Sequence, residues 1–213
     1  MQELGFIIKR FIGKKQKFSI VSRSFGKINL FVSSQQLAQR LCPGMLISFS
    51  FDHSNSKIYF ANNVEILMSP TNIDERDLCW LHQMFEYCYF FLLLHNPNEY
   101  AFNCIFRSIY FLTLKSKLLD SFELVKKLFI VSLLCEFDFE IDNQFMRFIQ
   151  PFRKLVFSSV DFQSVVIIKS LKVILDNIDS NVVEMIDNWI LVCIRSHPNV
   201  SYFKTMRFIN LSG

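Results

Sequence analysis

The chain has 213 residues, 51% of them apolar, with 25 Phe and a net charge of +4. That length suits one large domain or two small ones, and the apolar share is enough for a substantial core. Charged residues make up 20%, which excludes both a membrane bundle and a disordered chain. Five Gly and five Pro argue against long flexible linkers. The polar, soon Lys-rich N-terminus has no signal-peptide pattern. The most apolar run, Leu78 to Leu94, is interrupted by His82, Gln83 and Glu86. A bilayer-spanning helix needs about 20 clean apolar residues, so this run reads as a buried helix.

From Leu4 to Leu67 the apolar segments are short and β-rich. Gly5–Phe11 is the first predicted strand. Lys17–Arg23 is the second, with Phe18 and Ile20 on one face, and Ser24-Phe25-Gly26 reads as a tight turn because Gly accepts positive φ. Lys27–Val32 alternates Ile28, Leu30 and Val32 against Lys27, Asn29 and Phe31 and is the third. Gln35–Leu41 suits one helical turn, stopped by Pro43-Gly44. Met45–Phe51 alternates Met45, Ile47, Phe49 and Phe51 as the fourth strand, and the fifth runs from Ile58 to about Leu67. Five antiparallel strands in this span predict an OB-fold barrel, with an SH3-like barrel as the structural rival.

Ser69-Pro70-Thr71-Asn72 ends the β region, and the apolar period then shifts to about 3.6. Thr71 or Asn72 can cap a first helix over 73–94, with Asp74 and Glu75 in its first turn. Further helices are predicted over 99–117, from 120 or 121 to 135, 145–157 despite Pro151, 162–175 and 182–195. The predicted class is therefore α+β, an N-terminal five-stranded OB barrel over 1–70 and an all-helical domain over 71–213.

The charge divides at the same place. Residues 1–70 carry nine basic and three acidic groups, a net +6, while the rest carries 14 basic against 16 acidic, a net −2. A basic module should attract a polyanion, because phosphate neutralisation dominates nucleic-acid affinity. Lys14, Lys15 and Lys17 fall in the loop between the first two strands, which flanks the ligand face of OB folds. Lys9 and Arg10 flank that loop, and Arg23 and Lys27 bracket the next turn. Phe11, Phe18, Phe25 and Phe31 are candidates to stack on bases, and Phe25, beside the turn glycine, is the one least expected in the core.

Six dispersed cysteines, none in a C-x-x-C pair, read as reduced core residues of a cytoplasmic protein. Cys79 and His82 share a helix face without a second ligand pair, which favours packing over metal. Asp138, Glu140 and Asp142 read as an acidic surface loop. The four histidines lie in unrelated contexts, and no nucleophile elbow, phosphate loop, zincin or dinucleotide motif is present, so neither an enzyme nor a cofactor is expected.

The order of these parts resembles the bacterial RecO recombination mediators, a basic OB barrel followed by a helical domain. Gly5-Phe6-Ile7-Ile8 looks like that family's opening strand. Ser22-Arg23-Ser24-Phe25-Gly26-Lys27 resembles its second strand, turn and third strand, Leu41-Cys42-Pro43-Gly44 the approach to its fourth, and Ser121-Phe122-Glu123-Leu124 its "F-E-L" helix. Many members carry a cysteine-rich zinc site after that helix. The matching stretch here, Cys135 to Asn143, has one Cys, so no structural zinc is expected. The resemblance implies binding to single- and double-stranded DNA, strand annealing, and recombinase loading in DNA repair. It implies two partners, RecR and the acidic C-terminal tail of single-strand binding protein. Arg107, Lys115, Lys117, Lys126 and Lys127 are candidates for a basic rim around a groove for that tail. No membrane partner is expected. The alternative function is an OB-fold protein-interaction scaffold without nucleic-acid binding.

Overall fold

The computed structural model describes residues 2–11, 13, 16–51, 59–71, 73–112, 122–141, 143–158 and 165–204. Strands β1 (Glu3–Arg10), β2 (Lys17–Ser22), β3 (Gly26–Val32), β4 (Leu46–Phe51) and β5 (Tyr59–Met68) close into a barrel in the order β1-β2-β3-β5-β4. Helix α1 (Gln35–Arg40) lies between β3 and β4 in the chain. One seam corrects the expectation of five antiparallel strands. β4 runs antiparallel to β1 and β5 antiparallel to β4, so β5 necessarily runs parallel to β3. The seam is Leu30 opposite Tyr59, Phe31 opposite Phe60 and Val32 opposite Ala61. This is the OB-fold arrangement, and it removes the SH3-like rival.

Period-two alternation builds the interior. Ile7, Phe18, Ile20, Ile28, Leu30, Ile47 and Phe49 form one buried cluster, joined from α1 by Ala38 and from its end by Leu41. Ser34 caps α1 by accepting a hydrogen bond from the Leu37 amide. A bulge between Ile7 and Lys9 resets the register of β1 against β2. Lys9 therefore sits opposite Ser19, whereas Arg10 sits opposite the buried Phe18.

Much of the outer face of β1 and β2 is covered. Phe6 and Val21 alternate with the core positions yet are fully buried. Helix α2 (Glu75–Phe91) lies along β1, and Phe6 meets Phe102 of α3 (Glu99–Leu112) at 5.1 Å. α2 is shorter than the 73–94 its apolar pattern suggests. Asp74 caps its start by accepting from the Asp77 amide, and Leu92 is already extended. The continuation of the second helix to 117 falls outside the described residues. The first compact unit reaches Ile105, and the second runs from Phe106 to Phe203.

The second unit is helical: the rest of α3, α4 (Phe122–Glu136), α5 (Asn143–Ser158), α6 (Val165–Asp176) and α7 (Ser180–Arg195), followed by a short 3-10 turn at Val200–Tyr202. α4 is apolar nearly all round and buried from Val125 to Leu134 except at Lys127, as a central helix must be. Phe111 stacks on Phe122 at 4.8 Å, and Phe129 meets Phe111 and Phe152 at 5.6 and 5.3 Å. α5 accommodates Pro151 within its length. No helix among the described residues is long and apolar enough to cross a membrane.

Candidate nucleic-acid interface

Residues directly opposite each other in a sheet share a face. Phe18, Leu30 and Ala61 point into the core, so the neighbouring row, Lys17 opposite Phe31 opposite Phe60, points out. This row crosses β2, β3 and β5 in one line. Phe60 is 51% exposed and its ring centroid lies 5.5 Å from that of the half-buried Phe31. The Lys17 ammonium stands 4.7 Å from the centre of the Phe11 ring. Both chain ends of the β1–β2 loop are tied down. The Phe11 amide donates to the Lys17 carbonyl, the Val32 amide donates to the Gln16 carbonyl, and Gln16 Nε2 donates to the Ser33 carbonyl. Lys14 and Lys15, between those ties in sequence, lie outside the described residues.

Lys9 continues the surface on the α2 side of β1. Its ammonium is 3.6 Å from the centre of the Tyr89 ring, with Phe11 at 5.6 Å and Phe90 at 5.8 Å. Among the described residues no carboxylate pairs with Lys9 or Lys17. Ring faces attract these ammoniums without cancelling their charge.

The other predicted contacts are placed differently. The bulge in β1 turns Arg10 toward α1, where Nη1 lies 3.4 Å from the Leu41 carbonyl and the guanidinium is 5.9 Å from the centre of the buried Phe18 ring. Arg23 is exposed but paired with Glu99 at 3.2 Å. Phe25 belongs to an aromatic cluster: its ring packs against Phe51 at 5.1 Å and Tyr59 at 6.4 Å, and Tyr59 shares a hydrogen bond with His95 Nδ1. Phe25 is thus half-buried against the core and not a free stacking group.

Lys27 needs correction. It faces outward from β3 opposite Val21, beneath α2, and is buried. Its Nζ donates to the Tyr89 carbonyl at 2.6 Å, in the last turn of α2 where carbonyls lack helical partners. α2 has no basic residue of its own there, so Lys27 supplies the cation that a helix C-terminus favours. Burial nonetheless pushes its pKa down to about 8, with a smaller contribution in the same direction from Lys9. It holds the helix to the barrel, its ammonium turned to the Tyr89 carbonyl.

The expected basic rim is not assembled by the described residues. Lys126 is buried, pairs with Glu123 at 2.7 Å, and lies 4.9 Å from the Phe122 ring centre. Lys127 pairs with Asp187 at 2.6 Å. Arg107 is half-buried on α3, and Lys115 and Lys117 lie outside the described residues. The second unit does have a cleft of about 420 Å³ between α5 and α6, lined by Arg147, Phe148, Pro151, Val173, Ile174 and Asn177. All six cysteines are free thiols. Burial pushes Cys88 and Cys193 up to about 12 and Cys135 up to about 11, so these three remain protonated and weakly nucleophilic. Among the described residues no three metal-binding side chains gather.

The sequence reading missed Phe60 and Tyr89. Strand parity is the signal for Phe60, because β5 pairs in register with β3 only through a parallel seam. Tyr89 lies inside an apolar helical run, where nothing local separates it from a core aromatic. No protein-family model matches the chain, and no curated protein matches it.

Proposed function

We propose that the barrel binds nucleic acid through the outer row Lys17–Phe31–Phe60, and that the chain serves as a DNA-binding recombination mediator of the cytoplasm. In this reading it binds single- and double-stranded DNA, promotes annealing and recombinase loading in recombinational repair, and works with RecR and the acidic tail of single-strand binding protein. The observation that carries the binding half is the alignment of a cation and two aromatic rings across three adjacent strands of an OB barrel. An ammonium neutralises phosphate, and an exposed ring accepts the face of any base. The mediator half rests on the resemblance to the RecO proteins in order of parts and motifs. No catalytic residue is required, because base complementarity directs pairing once strand repulsion is lowered.

The test is fluorescence anisotropy with labelled oligonucleotides at about 50 and 200 mM salt. Affinity should fall with salt. Lys17→Glu should flatten the dependence by roughly 0.7–0.9 log units per lost phosphate contact. Phe31→Ala and Phe60→Ala should each weaken binding about fivefold or more while leaving the slope unchanged. No binding at low salt would overturn the nucleic-acid reading and leave the protein-interaction scaffold as the alternative to test. A strand-annealing assay with and without single-strand binding protein then separates a mediator from a plain DNA binder.

A further inference from the structure

The row on the barrel does not stop at β2. Phe90 and Tyr89 on α2 have ring centroids 5.1 Å apart, and Tyr89 meets Phe11 edge-on at 6.4 Å. Lys9 stands over Tyr89 and Lys17 over Phe11. Lys17 is opposite Phe31, which packs against Phe60. Rings and ammoniums therefore alternate from the last turn of α2 to β5. The rest of the outer face of β1–β2 is closed, since Phe6, Ser19 and Val21 are buried there. Tyr89 is half-buried and borders the part of this face that stays open.

We infer that Tyr89 is a further nucleic-acid-binding residue, and that the barrel row and α2 together form one cation–aromatic track for an unpaired strand. The inference rests on the nucleic-acid reading above and names its substrate class. An unpaired strand offers base faces to rings and phosphates to ammoniums in alternation. A duplex keeps its base faces stacked inside and offers phosphates alone. The track therefore discriminates single strands from duplexes through its rings, whereas its lysines serve both. Tyr89 acts twice, as a stacking face and as the seat that holds the Lys9 ammonium in place. Its backbone carbonyl accepts from Lys27, whose ammonium also lies 5.4 Å from the Tyr89 ring centre, so Tyr89→Phe, which keeps the ring, is the control for that anchor.

The experiment uses the full chain and labelled strands of about 15 nucleotides, as DNA, as RNA, and as a hairpin duplex. Tyr89→Leu keeps apolar bulk and removes the ring, and Tyr89→Phe keeps the ring. Tyr89→Leu should weaken single-strand binding about fivefold or more, weaken duplex binding less, because there only the seat of Lys9 is lost, and so reduce the single-strand preference. Tyr89→Phe should restore it. Lys9→Gln should flatten the salt dependence by about 0.7 log units on a single strand. A Tyr89-dependent signal with either DNA or RNA supports the track and identifies the strand it serves. The inference is overturned if Tyr89→Leu binds single strands like the wild type while Phe60→Ala does not, or if wild type prefers no strand over duplex. The underlying nucleic-acid reading fails separately, by absence of binding to all three probes in the wild type.

Discussion

A lysine held out of water at a helix end answers two opposing demands. The Tyr89 carbonyl draws the Lys27 ammonium in, and the loss of hydration works against its charge. The second effect is larger, so the folded chain releases this proton near pH 8 while the unfolded chain holds it to about 10.5. Between those values the unfolded state binds more protons at this group, so the Lys27 contribution to stability rises with pH through that window, whereas the buried Cys88, Cys135 and Cys193 thiols contribute in the opposite direction above about pH 9. Lys27→Met should remove that contribution, so the change in urea unfolding free energy from about pH 7.5 to about pH 10 should be less favourable in the variant than in the wild type. The same variant should leave the salt dependence of nucleic-acid binding unchanged, because the ammonium faces α2. An altered slope would return Lys27 to the interface. Lys9 and Lys17 also stand beside rings, but they are only half-buried, and neither donates to a helix-end carbonyl as Lys27 does.

At the level of elements, the β2–β3 hairpin depends on one close approach. Gly26 has φ +68°, and a Cβ there would lie 1.8 Å from the Asn96 carbonyl oxygen, in the segment that follows α2. The His95 amide donates to the Lys27 carbonyl beside it. Gly26→Ala should cost at least roughly 2 kcal/mol, from the left-handed backbone and the displaced segment together, read by chemical denaturation. The strands and the hairpin were legible in sequence because alternation of Ile28, Leu30 and Val32 and the turn glycine are local signals. The parallel β3–β5 seam was not, because strand direction follows from which strand β4 joins, a long-range choice. The candidate interface divides the same way. Lys17 and Phe31 were visible as the polar and apolar outer positions of strands, but their union with Phe60 depends on that seam. The sites of Phe25 and Lys27 were misjudged because α2 and the aromatic cluster cover surface that a strand pattern alone leaves open.

Across the whole molecule, the barrel and α2 form a single packing unit. Phe6 and Val21 face outward from the sheet and are buried without being part of the barrel interior. A fragment ending at residue 70 exposes both and loses the Phe6–Phe102 contact, so it should aggregate or unfold non-cooperatively. A fragment through Leu112 should melt in one transition. Light scattering and circular dichroism of the two fragments check this, and a stable, monomeric 1–70 fragment would refute it. The second unit has its own core around α4, where Phe111, Phe122, Phe129 and Phe152 meet.

The seam that closes the barrel joins β1 to β4, with Glu3 opposite Phe49. Loop closure across that span must precede any gain from the seam. Folding of the first unit should therefore fall in the millisecond-to-second range typical of β topologies, not the microseconds of helix bundles. On the ribosome, at roughly 5–20 residues per second, β1 waits on the order of seconds for β4 and longer still for α2. Throughout that interval its edge and the Phe6 face are open to other chains. The free side of β1 thus stays open to other chains until β4 and α2 have both been made.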